Sequence, residues 1–359
     1  MVFMMIEKLQ NFIKNNEAFD AAFICSPENR YYFTGFYSTD GYLIVTADRA
    51  IFITDSRYIE NAEKKVENCE VLLQTAKRSQ FSDIFSELSV KKIAFEAERT
   101  VVSELNKFSK SLNSFEIVCD GSLDGAINLF RRSKTDFEIE NMVKAQRIAE
   151  KAFSHICDFI KIGISEKDIA LELDFYMLKN GADALSFETI AVSGKNSSMP
   201  HGVPTLKKVE DGDFVTMDFG ATVSGYHSDM TRTVAVGNIS DKQREIYNIV
   251  LTAQKAALLA LKPNISCKEA DAKARDIIEN AGYGNCFGHG TGHGVGIEIH
   301  ENPRLSPNTN EKLMLGDVVT VEPGIYIPNE FGVRIEDMAY ITENGCENLT
   351  NCPKELIIL

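Results

Sequence analysis

Gly212 to Gly220 reads GDFVTMDFG, and Gly316 to Gly324 reads GDVVTVEPG. Five of the nine positions are identical, and at the seventh Asp218 answers Glu322. Apolar and polar residues alternate in both stretches, the period of a half-buried strand. Val215, Met217 and Phe219 then share one face, as do Val319 and Val321. Thr216 and Asp218, like Thr320 and Glu322, fall on the other. A repeat that keeps a carboxylate at one place on that face implies a site shared between two halves of one domain.

Each copy is followed by a second acid. YHSDMTRTV places His227, Asp229, Thr231 and Thr233 on one face, and GVRIEDMAY does the same for Arg334 and Glu336. Between the copies lies FGHGTGHGVGIEIHE, with His289, His293 and His300. If the halves pack face to face, four carboxylates and at least one imidazole converge. Crowded carboxylates cannot all stay ionised without a balancing cation. Two divalent ions held between them satisfy the set and make a water acidic enough to attack near neutral pH.

Composition narrows the class. The chain has 359 residues and a net charge of −14. The length favours two domains. The acidic balance, with no Lys/Arg stripe, excludes a nucleic-acid partner. The early apolar run Met1–Ile6 is too short for a signal peptide or a membrane span. Eight scattered cysteines form no C-x-x-C pair, which fits reduced thiols and a cytoplasmic location. Cys286 has no base beside it and reads as a small packing residue.

The first third alternates strands and helices, an α/β pattern. Strands are expected at 21–25, 41–46, 50–54, 71–73 and 92–95, and helices near 6–15, 56–65 and 98–110. A polar boundary falls at Arg131–Lys134 (RRSK), before a capping box at Thr135 and Glu138. This predicts domains over 1–131 and 132–359. Helices are expected after Thr135, from Ser165 to near Gly181, and over about 241–261 and 268–281. All the acids and the histidine run fall after the boundary, so the second domain carries the chemistry.

These motifs resemble the pita-bread metallopeptidases, in their proline-specific branch of Xaa-Pro dipeptidases (prolidases) and aminopeptidase P. The C-terminal part is similar to their catalytic α+β domain with its pseudo-two-fold. NRYYFTGF (Asn29–Phe36) and TDSRY (Thr54–Tyr58) resemble the α/β N-terminal domain of prolidase, aminopeptidase P and creatinase. The resemblance implies a metal set of Asp218, Asp229, His293, Glu322 and Glu336. It implies that Asp218 chelates one ion, that Asp229 and Glu336 bridge both, and that His293 and Glu322 complete the other. His201 (MPHGV) and His300 (IEIHE) are implied to contact substrate and its tetrahedral oxyanion. Glu322 is the implied proton shuttle, and Arg334 with Tyr326 is implied to tie to Asp218. His289 matches no ligand of the pattern, His155 reads as structural, and His227 stays open.

The implied activity is hydrolysis of the bond between an N-terminal residue and proline, in dipeptides or longer peptides. Two divalent metal ions are implied. A set rich in oxygen with one imidazole points to manganese, with cobalt, iron or zinc as alternatives. The implied partners are short peptides with proline second, and a second copy of the chain in a homodimer. A methionine aminopeptidase of the same fold is an alternative, although that enzyme usually lacks the N-terminal domain. A non-catalytic pita-bread peptide-binding protein is another, although such proteins usually lose ligands. Creatinase shares the plan without using the metal set.

Overall fold

The computed structural model describes residues 2–77 and 79–359. The chain separates into two compact units, Met1–Arg131 and Arg132–Leu359.

The first unit runs α1 (Val2–Lys14), β1 (Ala21–Ile24), α2 (Pro27–Thr34), β2 (Tyr42–Thr46), β3 (Ala50–Thr54), α3 (Ile59–Lys65), β4 (Glu70–Leu73), α4 (Gln80–Glu87), β5 (Lys92–Phe95), α5 (Val102–Ser111), β6 (Glu116–Val118) and α6 (Ser122–Arg132). The strands form one mixed sheet in the order β4-β3-β2-β1-β5-β6. Every residue of β1 and β3 is buried, as expected of central strands covered on both faces. Phe23 anchors one face, with its ring stacked 5.2 Å from Tyr42.

The NRYYFTGF stretch is used to build this unit. Asn29 donates to the buried Glu96 carboxylate at 2.7 Å, and its Oδ1 accepts from Arg131 at 3.0 Å. Arg30 is buried and donates to the carbonyls of Ser38 and Gly41, fixing the loop between α2 and β2.

The second unit is a repeat. Its first half holds α7 (Asp136–Phe159), α8 (Glu166–Lys179), β7 (Ala184–Leu185), β8 (Ile190–Ser193), β9 (Phe214–Phe219), β10 (Ala221–Val223), β11 (Tyr226–His227) and β12 (Met230–Ala235). Its second half holds α9 (Asp241–Ala260), α10 (Cys267–Asn280), β13 (Gly292–Gly294), β14 (Glu301–Leu305), β15 (Val318–Val321), β16 (Gly324–Ile327), β17 (Phe331–Arg334), β18 (Asp337–Thr342) and β19 (Gly345–Asn348). In each half two helices precede an antiparallel sheet. β9 lies between β8 and β12, and β15 between β13 and β18.

Local detail repeats as well. All four long helices open on a capping box, at Thr135, Ser165, Ser240 and Ser266. Ser165 bridges to Lys208 as Ser266 does to Lys312, four residues before each repeated glycine. Gly212 and Gly316 turn into their strands at φ 86° and 94°, the left-handed region open to glycine.

The alternation expected from sequence is present. Val215, Met217 and Phe219 pack with α7 and α8, whereas Val319 and Val321 pack with α9 and α10. Thr216, Thr231, Thr233 and Thr320 face the other way, into the seam between the halves. Thr233 Oγ1 donates to Arg334 O at 3.0 Å, and Glu336 N donates to Thr231 O at 3.1 Å.

One expectation needs correction. Asp218 lies within β9, but β15 ends at Val321 and Glu322 sits just beyond it. Pro323 follows, and a proline cannot donate to a ladder. The junction also differs from its polar appearance. Arg131 and Lys134 are buried, and Arg132 pairs with Asp317 at 2.7 Å within the second unit.

Candidate active site

Asp218, Asp229, His293, Glu322 and Glu336 line one cavity of about 470 Å³ in the second unit, together with His201, His289, His300, Arg304 and Arg334. The size suits a small ligand. Strand register brings the acids there. Asp218 pairs with Thr231 across β9 and β12, and Asp229 lies two residues before Thr231, so both point to one face. Thr231 then links the halves, since its hydroxyl donates to Glu336 Oε2 at 2.6 Å.

Asp229, His293 and Glu336 place ligand atoms within 4.8 Å of one another. His293 Nδ1 lies 3.0 Å from Gly294 O, so that nitrogen carries the proton and Nε2 keeps its lone pair. Nε2 lies 3.4 Å from Glu322 Oε1 and 3.6 Å from Asp229 Oδ2. The amide of His293 donates to Thr320 Oγ1, and that hydroxyl donates to Glu322 Oε1 at 3.2 Å. Asp218 is held through one oxygen only. Its Oδ2 accepts from Arg334 Nη2 at 2.6 Å, while its buried Oδ1 has no partner among the described residues.

Burial sets the protonation of this cluster. Desolvation, then neighbouring carboxylates, pushes Asp229 and Glu336 well above the carboxyl range. Desolvation also raises Glu322 to about 7, against the pull of Arg334. His293 is lowered to about 3, chiefly by burial, so it is neutral. A cluster that cannot ionise alone, a lone pair aimed among carboxylates and an orphaned carboxylate oxygen together fit divalent cations.

Around this centre runs a directed hydrogen-bond chain. Arg334 can only donate, and it gives Nη1–H to Tyr326 OH at 2.9 Å. Tyr326 OH lies 3.0 Å from His289 Nε2, and His289 Nδ1 lies 2.8 Å from Gly290 O. The carbonyl can only accept, so His289 carries its proton on Nδ1 and Tyr326 donates to Nε2. Burial lowers His289 to about 4, which keeps it neutral. His289 therefore supports the Tyr326–Arg334–Asp218 tie.

His300 and His201 are exposed at the cavity wall, with the His300 ring 4.4 Å from that of His293. His227 meets Thr222 and His155 pairs with Glu172, both away from the cavity. Cys286 packs against the core.

The glycines of the FGHGTGHGVG run serve close packing of strands. A Cβ on Gly292 would lie 1.9 Å from Thr320 O, and one on Gly294 would lie 2.4 Å from Asn302 O. These glycines let β13 fit between β14 and β15. Sequence reasoning missed Arg304, which faces His293 across β13 and β14. It is exposed, lines the cavity, and has no hydrogen-bond or ion-pair partner among the described residues. Its place four residues after His300, alternating along HENPR, was the available signal.

Comparison with known proteins agrees with this geometry. Residues 140–343 match the model of metallopeptidase family M24, and residues 5–131 match the creatinase/prolidase N-terminal domain. An Xaa-Pro dipeptidase structure from Bacillus anthracis superposes with a TM-score of 0.95 at 42% identity, covering 100% of both chains. An X-Pro aminopeptidase structure from Thermotoga maritima gives 0.92 at 36% identity over 99% of each chain. The Xaa-Pro dipeptidase of Pyrococcus furiosus is 42% identical over 98% of this chain and 99% of its own. With both family matches end to end and the acids gathered in one cavity, the chain belongs to metallopeptidase family M24, in the two-domain form with a creatinase/prolidase N-terminal domain.

Proposed function

We propose that the protein is a two-metal exopeptidase that hydrolyses the bond between an N-terminal residue and proline, with Xaa-Pro dipeptides as its main substrates. The observation that carries this reading is the convergence of Asp229, His293 and Glu336 beside Glu322 and the orphaned oxygen of Asp218. These five residues would hold two divalent ions, and oxygen-rich ligation favours manganese. When bound, such ions would supply Lewis acidity and an activated water. Glu322, on the cavity wall beside His293, is placed to take a proton and return it to the leaving proline nitrogen. His201 and His300, on the cavity wall, are placed to donate to the substrate and its developing oxyanion. Arg334 and Tyr326 orient Asp218.

Arg304 favours dipeptides over longer chains. In Xaa-Pro the terminal carboxylate lies one residue from the scissile bond, within reach of this cavity, and Arg304 is a guanidinium there without a partner among the described residues. The relatives named for dipeptide cleavage support the same choice. A cytoplasmic, homodimeric enzyme is consistent with eight free cysteines and with the family.

The test uses chelator-stripped enzyme with added manganese and three substrates: an Xaa-Pro dipeptide, its C-terminal amide, and an Xaa-Pro-Xaa tripeptide. Manganese-dependent turnover with the free dipeptide fastest is expected, and Arg304→Met is expected to erase the preference for dipeptide over amide. No turnover of any substrate would sink the reading. Faster tripeptide cleavage, unaltered in Arg304→Met, would replace it with an aminopeptidase.

A further inference from the structure

A second buried charge cluster lies one residue along from the ligand face. Arg232 follows Thr231, and Asp337 follows Glu336, so by strand alternation both point away from the cavity. Neither lines it. Arg232 is 1% exposed and Asp337 is fully buried.

Every N–H of Arg232 is used. Nε donates to Pro353 O at 2.8 Å. Nη1 donates to Thr231 O at 2.9 Å and to Glu336 O. Nη2 donates to Asp337 Oδ1 and Cys352 O, both at 2.8 Å. Asp337 is equally committed. Its Oδ2 accepts from Gln254 at 3.1 Å, Asn348 at 2.9 Å and Lys354 Nζ at 2.6 Å. Lys354 Nζ also reaches Gln254 Oε1 at 3.1 Å, and Lys354 O accepts from Tyr247 OH at 2.8 Å.

Two consequences follow. One side chain clamps the carbonyls of Thr231 and Glu336, which sets the backbone position of Glu336 and of the residue that hydrogen-bonds its carboxylate. The cluster also holds two cations and one anion, so its net charge is positive immediately beside an acidic site. Three successive residues, Cys352 to Lys354, supply partners for it.

We infer that Arg232, Asp337 and Lys354 are positioning residues for the metal-binding carboxylates, and that the segment Cys352–Lys354 is part of the working site although it touches no substrate. This rests on the two-metal reading above. A partner hydrogen-bonded directly to a ligand is worth about 10- to 100-fold in metal affinity. Arg232 holds the Glu336 backbone and Lys354 acts through Asp337, so removing Lys354 should weaken affinity by less, up to about ten-fold.

The test measures manganese binding to full-length protein by calorimetry, separately from activity. Lys354→Met is the main variant, because its side chain lies at the edge of the cluster, 14% exposed. Asp337→Asn is the second. Leu173→Ala, in the fully buried core of α8, serves as a control for lost stability alone. The expected result is manganese affinity several-fold weaker, up to about ten-fold, in Lys354→Met, restored toward the parent in Lys354→Arg, and unchanged in Leu173→Ala at a similar loss of melting temperature. Parental affinity in both Lys354→Met and Asp337→Asn overturns the inference while leaving the two-metal reading intact. So does a loss matched by Leu173→Ala. Failure of the parent protein itself to bind manganese overturns the two-metal reading and this inference together.

Discussion

Asp229, Glu322 and Glu336 hold protons more tightly than ordinary carboxyls, whereas His289, His293 and His300 hold them less tightly. In metal-free protein these shifts give opposite slopes of stability against pH. A raised carboxyl contributes stability below its unfolded pKa, 3.8 for Asp and 4.5 for Glu, and loses it as pH climbs toward the folded value. A depressed imidazole adds stability as pH rises to its unfolded value of 6.5, above which its contribution is complete and no longer changes with pH. Below pH 6.5 the two oppose each other, and above it only the carboxyls still titrate. The melting temperature of chelated protein should therefore fall between pH 6.5 and 8, and saturating manganese should remove that fall. A flat profile without metal would show that the acids are not crowded in solution. The hydrogen-bond chain gives a second prediction. Tyr326→Phe leaves a guanidinium N–H and His289 Nε2 unpaired, and kcat should drop by about 10- to 100-fold with the fold retained. His201→Ala and His300→Ala should lose kcat with manganese affinity unchanged, since neither is needed to hold an ion; a parallel loss of metal would make that histidine a ligand. That the carboxylates and His293 gather in one cavity was legible because each stands in a local motif. Arg304 and the role of His289 were not, because both depend on which strands become neighbours.

The elements best read from sequence are those that announce their own ends. Thr135 with Glu138 and Ser165 with Asp168 begin α7 and α8 as their capping boxes require. Replacing Ser266 with Ala at the start of α10 should cost about 1 kcal/mol of stability, read by urea denaturation, and leave manganese affinity unchanged. Helix α2 was invisible because Asn29, Arg30, Tyr32, Phe33 and Thr34 are all buried, so no apolar stripe marks a face. Glu322 was drawn into a strand because the repeat pattern outweighed the proline after it. Close approach at β13 makes a sharper demand than any propensity. Gly292→Ala drives a methyl group against Thr320 O and should separate β13 from β15, displacing His293 and Glu322 together. Loss of both stability and manganese binding is expected. An active, metal-replete Gly292→Ala protein would mean that the strands can part without cost.

At the scale of the molecule, the two units have separate cores. Phe23, Phe85 and Phe108 centre a cluster in the first, while two clusters, one for each half, fill the second. A fragment spanning 132–359 should fold cooperatively and bind manganese, as read by thermal unfolding with and without the ion. A fragment that stays unfolded would show that the boundary at Arg131–Lys134 divides contacts but not stability. The repeat itself has a further use. The turn from β12 to α9, through Gly237 and Asn238, is the place where the first half ends and the second begins. Cut there, the chain gives one piece with Asp218 and Asp229 and another with His293, Glu322 and Glu336. On the two-metal reading, neither piece is expected to hydrolyse a peptide alone. The pieces are nevertheless laced together, because Ala235 N donates to Ile357 O and Leu359 N donates to Ala235 O along the edge of β12. Genes encoding the two pieces, fused to a pair of interacting proteins, would make peptide cleavage a reporter of their encounter.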